Sequence, residues 1–214
     1  MSARDLLEQG GRRFARFVTS AVVARPRLWG VFRGPFRSLF DWLAPRWDAM
    51  RGPEWLAPLA AAVDRLGETT PARILEVGTG TGAGARLIAE CYPEAEVVGV
   101  DLSPDMVEEA RRLLPPELAS RVRFAVADAS ALPFPPGSFD LVVLLNMIPF
   151  FGELARVTAP GGALVVAHSR GPETPIWTPA ETLRGHLGAA GFGSFAEVKA
   201  GEGDALLAQR TEQG

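Results

Sequence analysis

The 214-residue chain predicts an α/β fold built on a mostly parallel sheet. Three observations carry that prediction. From Arg73 onward, short apolar runs alternate with helical segments, which is the pattern of βαβ units. A glycine-rich turn, Gly78-Thr79-Gly80-Thr81-Gly82, directly follows the first of those runs. A later run, Phe139–Leu145, is almost wholly apolar, as suits a strand buried on both faces.

The elements follow in order. Residues 1 to about 70 hold no β-rich run. They read as short helices broken at Pro26, Pro35, Pro45, Pro53 and Pro58, because proline stops or restarts a helix. Residues 73–77 form the first strand and 83–91 a helix. Residues 96–100 form the second strand. Ser103-Pro104 opens a helix that runs to about Leu114, with serine as N-cap and proline at the first helical position. Residues 121–127 form the third strand, 132–138 a proline-rich loop and 139–145 the fourth strand. A short helix covers about 150–158, and Pro160-Gly161-Gly162 turns the chain into a fifth strand at 163–168. A helix at 179–190 precedes two last strands, 194–199 and 204–210. Two regions result: an N-terminal helical segment, 1–70, and an α/β domain, 71–214.

Composition narrows the function classes. Apolar residues make up 47% and charged residues 22%, an ordinary balance for a globular protein. No apolar stretch reaches the roughly 18–20 residues that span a bilayer. The start, MSARDLLEQGGRRF, shows no apolar core of a secretory signal. The lone cysteine, Cys91, can form neither an internal disulfide nor a zinc site by itself, so a cytoplasmic setting is expected. Charge is uneven. Residues 1–51 hold ten arginines against four acidic residues, whereas the remainder holds 12 basic and 21 acidic. Four of the five tryptophans also lie within the first 55 residues. The front of the chain is basic and aromatic, and the body is acidic.

The glycine turn is the strongest local signal. Glycines there let the backbone turn tightly and approach a ligand with no Cβ in the way. Alone it is a weak fingerprint, and Gly78, Gly80 and Ala83 also fit the permissive dinucleotide pattern. Asp101 ends the second strand, where a carboxylate can accept both hydroxyls of a ribose. Asp128 and Ala129 end the third, from where an acidic side chain can reach the amine of adenine. Glu76 lies near the tip of the first strand. A carboxylate there would repel a pyrophosphate but attract a cationic sulfonium or ammonium. That charge argument favours S-adenosylmethionine over a nicotinamide dinucleotide.

From Arg73 to Arg210 the chain resembles the class I S-adenosylmethionine-dependent methyltransferases, in particular the small-molecule branch that includes the ubiquinone/menaquinone C-methyltransferases. The resemblance lies in ILEVGTGTG (74–82), VVGVDLSPDMVEEARR (97–112), VRFAVADASALPFPPGSFDLVV (122–143), LARVTAPGGALVVA (154–167) and LGAAGF (187–192). It implies a Rossmann-like, seven-stranded sheet of order 3-2-1-4-5-7-6 with the seventh strand antiparallel. It implies that Gly78, Thr79, Gly80 and Gly82 shape the methionine pocket, with Glu76 near the amino group. Asp101 then holds the ribose, Leu102 and Met106 pack near the adenine, and Asp128 and Ala129 read its edge. Asn146 and Met147 lie at the boundary between cofactor and substrate. The stretch from Asn146 to Pro160 is short for the family and holds no histidine, and no lid is inserted between the fifth and sixth strands.

The expected function is methyl transfer from S-adenosylmethionine to a small apolar or aromatic acceptor. A nicotinamide-dependent reductase and a non-catalytic module that binds S-adenosylmethionine are the alternatives. The reductase pair Tyr-x-x-x-Lys is impossible, since the only Tyr is Tyr92 and the only Lys is Lys199. Nucleic acid is disfavoured as substrate, because NMIPF after the fourth strand is not the amino-methylating signature. No metal site is expected. His168, at the end of the fifth strand, is a weak candidate general base, with a satisfied structural histidine as the competing reading. Trp177 is a candidate pocket residue. The segment Phe14–Trp55 is expected either to close the site as a lid, with Phe36, Phe40, Trp42 and Trp47 lining it, or to cover a sheet face. A third reading rests its arginines and aromatics on an anionic membrane.

Overall fold

The computed structural model describes residues 3–52, 54–67 and 69–212, with side chains from Gly10 onward. Pro53, named above as a helix breaker, lies outside the described residues. The N-terminal region is helical but not finely broken. Helix α1 runs unbroken over Ala3–Ala24, because the first proline comes only at Pro26. Its buried stripe is Ala15, Val18, Thr19 and Val22, at helical spacing. Helix α2 covers Trp29–Leu43 and contains Pro35, which the sequence reading took as a stop. Proline there forfeits one bond, to the Val31 carbonyl, on a stretch where Val31 is exposed. Burial of Trp29 and Phe36 on the opposite side keeps the helix on its course. Short 3-10 turns follow at Ala44–Arg46 and Asp48–Met50, then α3 at Ala57–Arg65.

The body alternates as expected: β1 Arg73–Val77, α4 Ala83–Cys91, β2 Glu96–Asp101, α5 Pro104–Arg112, β3 Val122–Val126 and β4 Phe139–Leu145. Helix α6 Phe151–Val157, β5 Thr158–His168, α7 Ala180–Ala189, β6 Phe192–Ala200 and β7 Gly203–Arg210 complete it. Ser103 caps α5, its Oγ accepting from the Met106 N–H at 3.1 Å. Pro160-Gly161-Gly162 does not precede β5 but lies inside it. Thr158 already pairs with Phe139, and the register slips before Leu141 meets Ala163. A Cβ at Gly162 would stand 2.9 Å from the Asp140 carbonyl, so the irregular strand needs glycine there.

The seven strands form one sheet of order β3-β2-β1-β4-β5-β7-β6. Neighbours are parallel except that β7 runs antiparallel to both β5 and β6. The sheet is covered on both faces. Leu75, Val142, Leu164 and Leu206 pack with Val18, Trp29, Leu154 and Leu183 on one side. Ile74, Val97, Leu141 and Val165 pack with Leu59, Ile88, Val107 and Ala110 on the other. The parallel strands β1 to β4 therefore end at one edge, where ligands of open α/β sheets bind.

Candidate functional site

The loops after β1, β2 and β4 meet at that edge. The N–H groups of Gly78 and Thr79 both donate to the Val100 carbonyl, at 2.8 and 2.9 Å, and fold the glycine turn over the end of β2. Gly78 and Gly80 hold left-handed φ values of 76° and 54°. A Cβ on Gly78 would stand 2.7 Å from the Met147 sulfur, so the turn and the loop after β4 approach as closely as glycine allows. The Gly80 N–H donates to Asp101 at 2.8 Å, and the Ser103 N–H donates to its other oxygen at 2.9 Å. Asn146 sits at a left-handed φ of 53°. Its amide exchanges two 2.9 Å bonds with Ser169, one to the hydroxyl and one from the backbone N–H.

Between these loops lies a cavity lined by Glu76, Gly78, Thr79, Gly80, Asp101, Leu102, Ala129, Asn146 and Met147. Its other wall is aromatic and cationic and comes from the N-terminal region: Trp29, Phe36, Arg37, Phe40, Trp47, Arg51 and Trp55. Ile176 joins from the loop after β5. The enclosed space is about 50 Å³, and the whole concavity with its mouth about 760 Å³. Small-molecule pockets measure roughly 300–1,000 Å³, so the enclosed space falls well short of that and the cavity is narrow. Trp47 Nε1 and an Arg51 terminal nitrogen lie 3.2 and 3.4 Å from where a Gly80 Cβ would be, and these two side chains narrow it.

The electrostatics are those of a buried, mixed-charge site. Burial pushes the Glu76 carboxyl up to about 7, against the pull of the Thr79 hydroxyl, the Ala85 backbone N–H and Arg51. Gly84 leaves room for that carboxylate at the start of α4, where the N–H groups favour an anion. Burial likewise raises Asp101, although the N–H groups of Ser103, Gly80 and Leu102 oppose it. Burial lowers the Arg51 guanidinium to about 10 despite the nearby Asp48 and Glu76.

The N-terminal region is tied to three strand ends. Thr81, after β1, donates its hydroxyl to Asp48 at 2.6 Å. Ser103, after β2, donates to Asp41 at 2.5 Å. Asp128, after β3, accepts from the Trp29 indole at 2.9 Å and from Arg33 at 3.3 Å.

Several residues singled out from the sequence lie elsewhere. Gly82 does not line the cavity; its Cβ would strike the Phe124 ring at 2.6 Å, so it serves close packing against β3. Met106 is fully buried in α5 and also stays out of the lining. Asp128 faces α2 rather than the cavity, and bonds from Ser130, Trp29 and Arg33 hold its carboxyl below the usual range although burial works the other way. His168 is 1% exposed and outside the lining. Its Nδ1 meets Asp204 at 2.9 Å, and the Thr178 N–H donates to its Nε2 at 3.4 Å. Trp177 donates to the same Asp204 at 3.3 Å instead of lining the cavity. Trp42 is 54% exposed, with Arg46 over its ring. Sequence reading did not single out Trp29, Arg37, Arg51, Trp55 or Ile176. The spacing Trp47-x3-Arg51-x3-Trp55, a cation between two indoles, was the available signal for two of them. Among the described residues no cluster could hold a metal ion.

A doubly covered sheet of this order, with its glycine turn after β1 and an acid at the end of β2, is the arrangement that the resemblance to the class I S-adenosylmethionine-dependent methyltransferases implies. Residues 74–162 match the family model described as a methyltransferase domain. Within the class the chain resembles the ubiquinone/menaquinone C-methyltransferases. It is 45% identical over 139 residues to the demethylmenaquinone methyltransferase of Thermus thermophilus, covering 60% of this chain and 63% of that protein. It is 44% identical over 101 residues to the 2-methyl-6-phytyl-1,4-hydroquinone methyltransferase of Synechocystis, covering 44% and 31%. The chain thus spans less than two thirds of the length of either curated relative. The fold matches the phosphoethanolamine N-methyltransferase 2 of Haemonchus contortus, solved with S-adenosyl-L-methionine, at a TM-score of 0.65 and 20% identity, covering 80% and 57%.

Proposed function

We propose that this chain transfers a methyl group from S-adenosylmethionine to a small apolar or aromatic molecule. The observation that carries this reading is one cavity that joins the buried carboxylates of Glu76 and Asp101 to a wall of Trp29, Phe36, Phe40 and Trp47. The residues fit the cofactor. Gly78 and Gly80 let a ligand lie against the backbone, and Asp101 keeps lone pairs for ribose hydroxyls beside its backbone bonds. Leu102 and Ala129 supply apolar contact for the adenine, and Glu76 faces the cationic end. The aromatic wall attracts a cation and accepts a planar ring. When bound, S-adenosylmethionine supplies an already activated methyl group. The protein's own part is then to align the acceptor and exclude water, and orientation alone supplies a large share of such accelerations. The N-terminal segment does this as a lid, its aromatic side chains enclosing the acceptor.

The relatives' names, a demethylmenaquinone and a phytyl-hydroquinone methyltransferase, support a ring carrying a long apolar tail. Such a molecule resides in a bilayer. The same N-terminal segment exposes Phe17, Val31, Trp42 and Met50 among its arginines, so it rests on an anionic membrane surface to collect the acceptor. The activity is tested by incubating the protein with methyl-deuterated S-adenosylmethionine and a set of demethylated quinols in detergent. A product heavier by one labelled methyl group is expected for at least one quinol. A protein that binds the cofactor but labels no ring or other apolar acceptor overturns this reading.

A further inference from the structure

Among the described residues of the cavity wall, Arg51 is the one with a buried side-chain nitrogen that has no hydrogen-bond partner. Its side chain is 11% exposed. One terminal nitrogen, NH1, pairs with Asp48 at 2.9 Å. Its Nε is buried and has no partner among the described residues. The other terminal nitrogen, NH2, lies over the glycine turn, 3.4 Å from the place of a Gly80 Cβ. The guanidinium lies over Trp55, its central carbon 3.7 Å from the ring centroid, and over Trp47 at 5.3 Å. Nε–H and the NH2 group form one edge of the guanidinium, and that edge is the fork that grips a carboxylate with two parallel bonds. Asp48 occupies a different nitrogen and holds the fork in place. A buried donor without an acceptor is costly, by about as much as a lost hydrogen bond, so such an edge calls for an anionic partner.

The surroundings say which anion. Glu76 and Arg51 both line the cavity, with the glycine turn between β1 and α4 beside them. A carboxylate and a guanidinium facing one small space complement the ammonium and carboxylate of an amino-acid zwitterion. Resting on the reading above, we infer that Arg51 binds the α-carboxylate of the methionine end of the cofactor, with Trp47 and Trp55 fixing the plane of the fork. The N-terminal region then contributes to cofactor binding as well as covering the acceptor, and it recognises a part of the cofactor that adenosine and sulfur do not provide.

Calorimetric titration with two probes tests this. S-adenosylmethionine carries the carboxylate. Decarboxylated S-adenosylmethionine keeps the adenosine, the sulfonium and the ammonium and lacks only that group. Arg51→Met should weaken S-adenosylmethionine by roughly 10- to 100-fold, the range of a charge-assisted hydrogen bond. It should leave the decarboxylated probe unchanged. Arg51→Lys keeps a charge and a stem but no fork, so an intermediate loss is expected for S-adenosylmethionine alone. Equal weakening of both probes would mean that Arg51 only props the tryptophans, and unchanged binding of S-adenosylmethionine would mean that its carboxylate lies elsewhere. Either result overturns the inference while leaving the wild-type cofactor reading intact. Wild-type protein that binds neither probe overturns that reading itself.

Discussion

Glu76 shows what one buried carboxyl imposes on the whole chain. Its pKa is raised from 4.5 to about 7, chiefly by burial. The folded protein therefore holds this proton over a range where the unfolded chain has released it. Stability from this group is full below about pH 4.5 and declines as pH rises toward about 7, by roughly 3 kcal/mol in all. Glu76→Gln should remove that decline. Chemical denaturation at pH 5 and pH 8 should show a smaller difference for the variant than for wild type, and parallel curves would refute it. Position at the tip of the first strand made Glu76 legible in the sequence, as it did Asp101. Asp128 obeyed the same rule but is held by Trp29, which stands 99 residues away. No local pattern announces a partner at that separation.

At the scale of elements, β5 and β7 are joined through a side-chain knot. Because the Thr178 N–H donates to Nε2, the His168 proton sits on Nδ1 and points at Asp204. Bonds from His168 and Trp177 keep the Asp204 carboxyl below its usual range against the effect of burial. His168→Ala should thus cost about 1–3 kcal/mol for the buried groups it strands, read by denaturant unfolding. Turnover per folded molecule should change by less than tenfold, and a loss of roughly 100-fold or more would restore His168 as a base. The strands were readable because their apolar runs and the turns between them are local. The N-terminal helices were misjudged because proline was weighed alone. Pro35 lies inside α2, where a helix held by Trp29 and Phe36 tolerates one missing bond. The irregular start of β5 was hidden for the converse reason, since Thr158 pairs across to Phe139 by tertiary register.

The molecule as a whole is polarised, with four of its exposed large apolar side chains, Phe17, Val31, Trp42 and Met50, in the arginine-rich first 51 residues. No helix among the described residues is long and apolar enough to cross a membrane. Sedimentation with vesicles should show binding to anionic lipid and little to neutral lipid, falling as salt rises. Replacing Phe17 and Trp42 with serine should reduce the bound fraction severalfold. Equal sedimentation with both lipids, or none with either, would argue against a charged membrane face.

The three ties from the N-terminal region, at Thr81, Ser103 and Asp128, also bear on time. One segment reaches three strand ends, so they are uncovered together rather than singly. How long a ligand stays would then follow the lifetime of that cover more than the sum of its own contacts. Entry and exit would both slow, and a contact carried by the cover itself, such as one from Arg51, would slow exit further. A protein built this way can hold its ligand for long intervals.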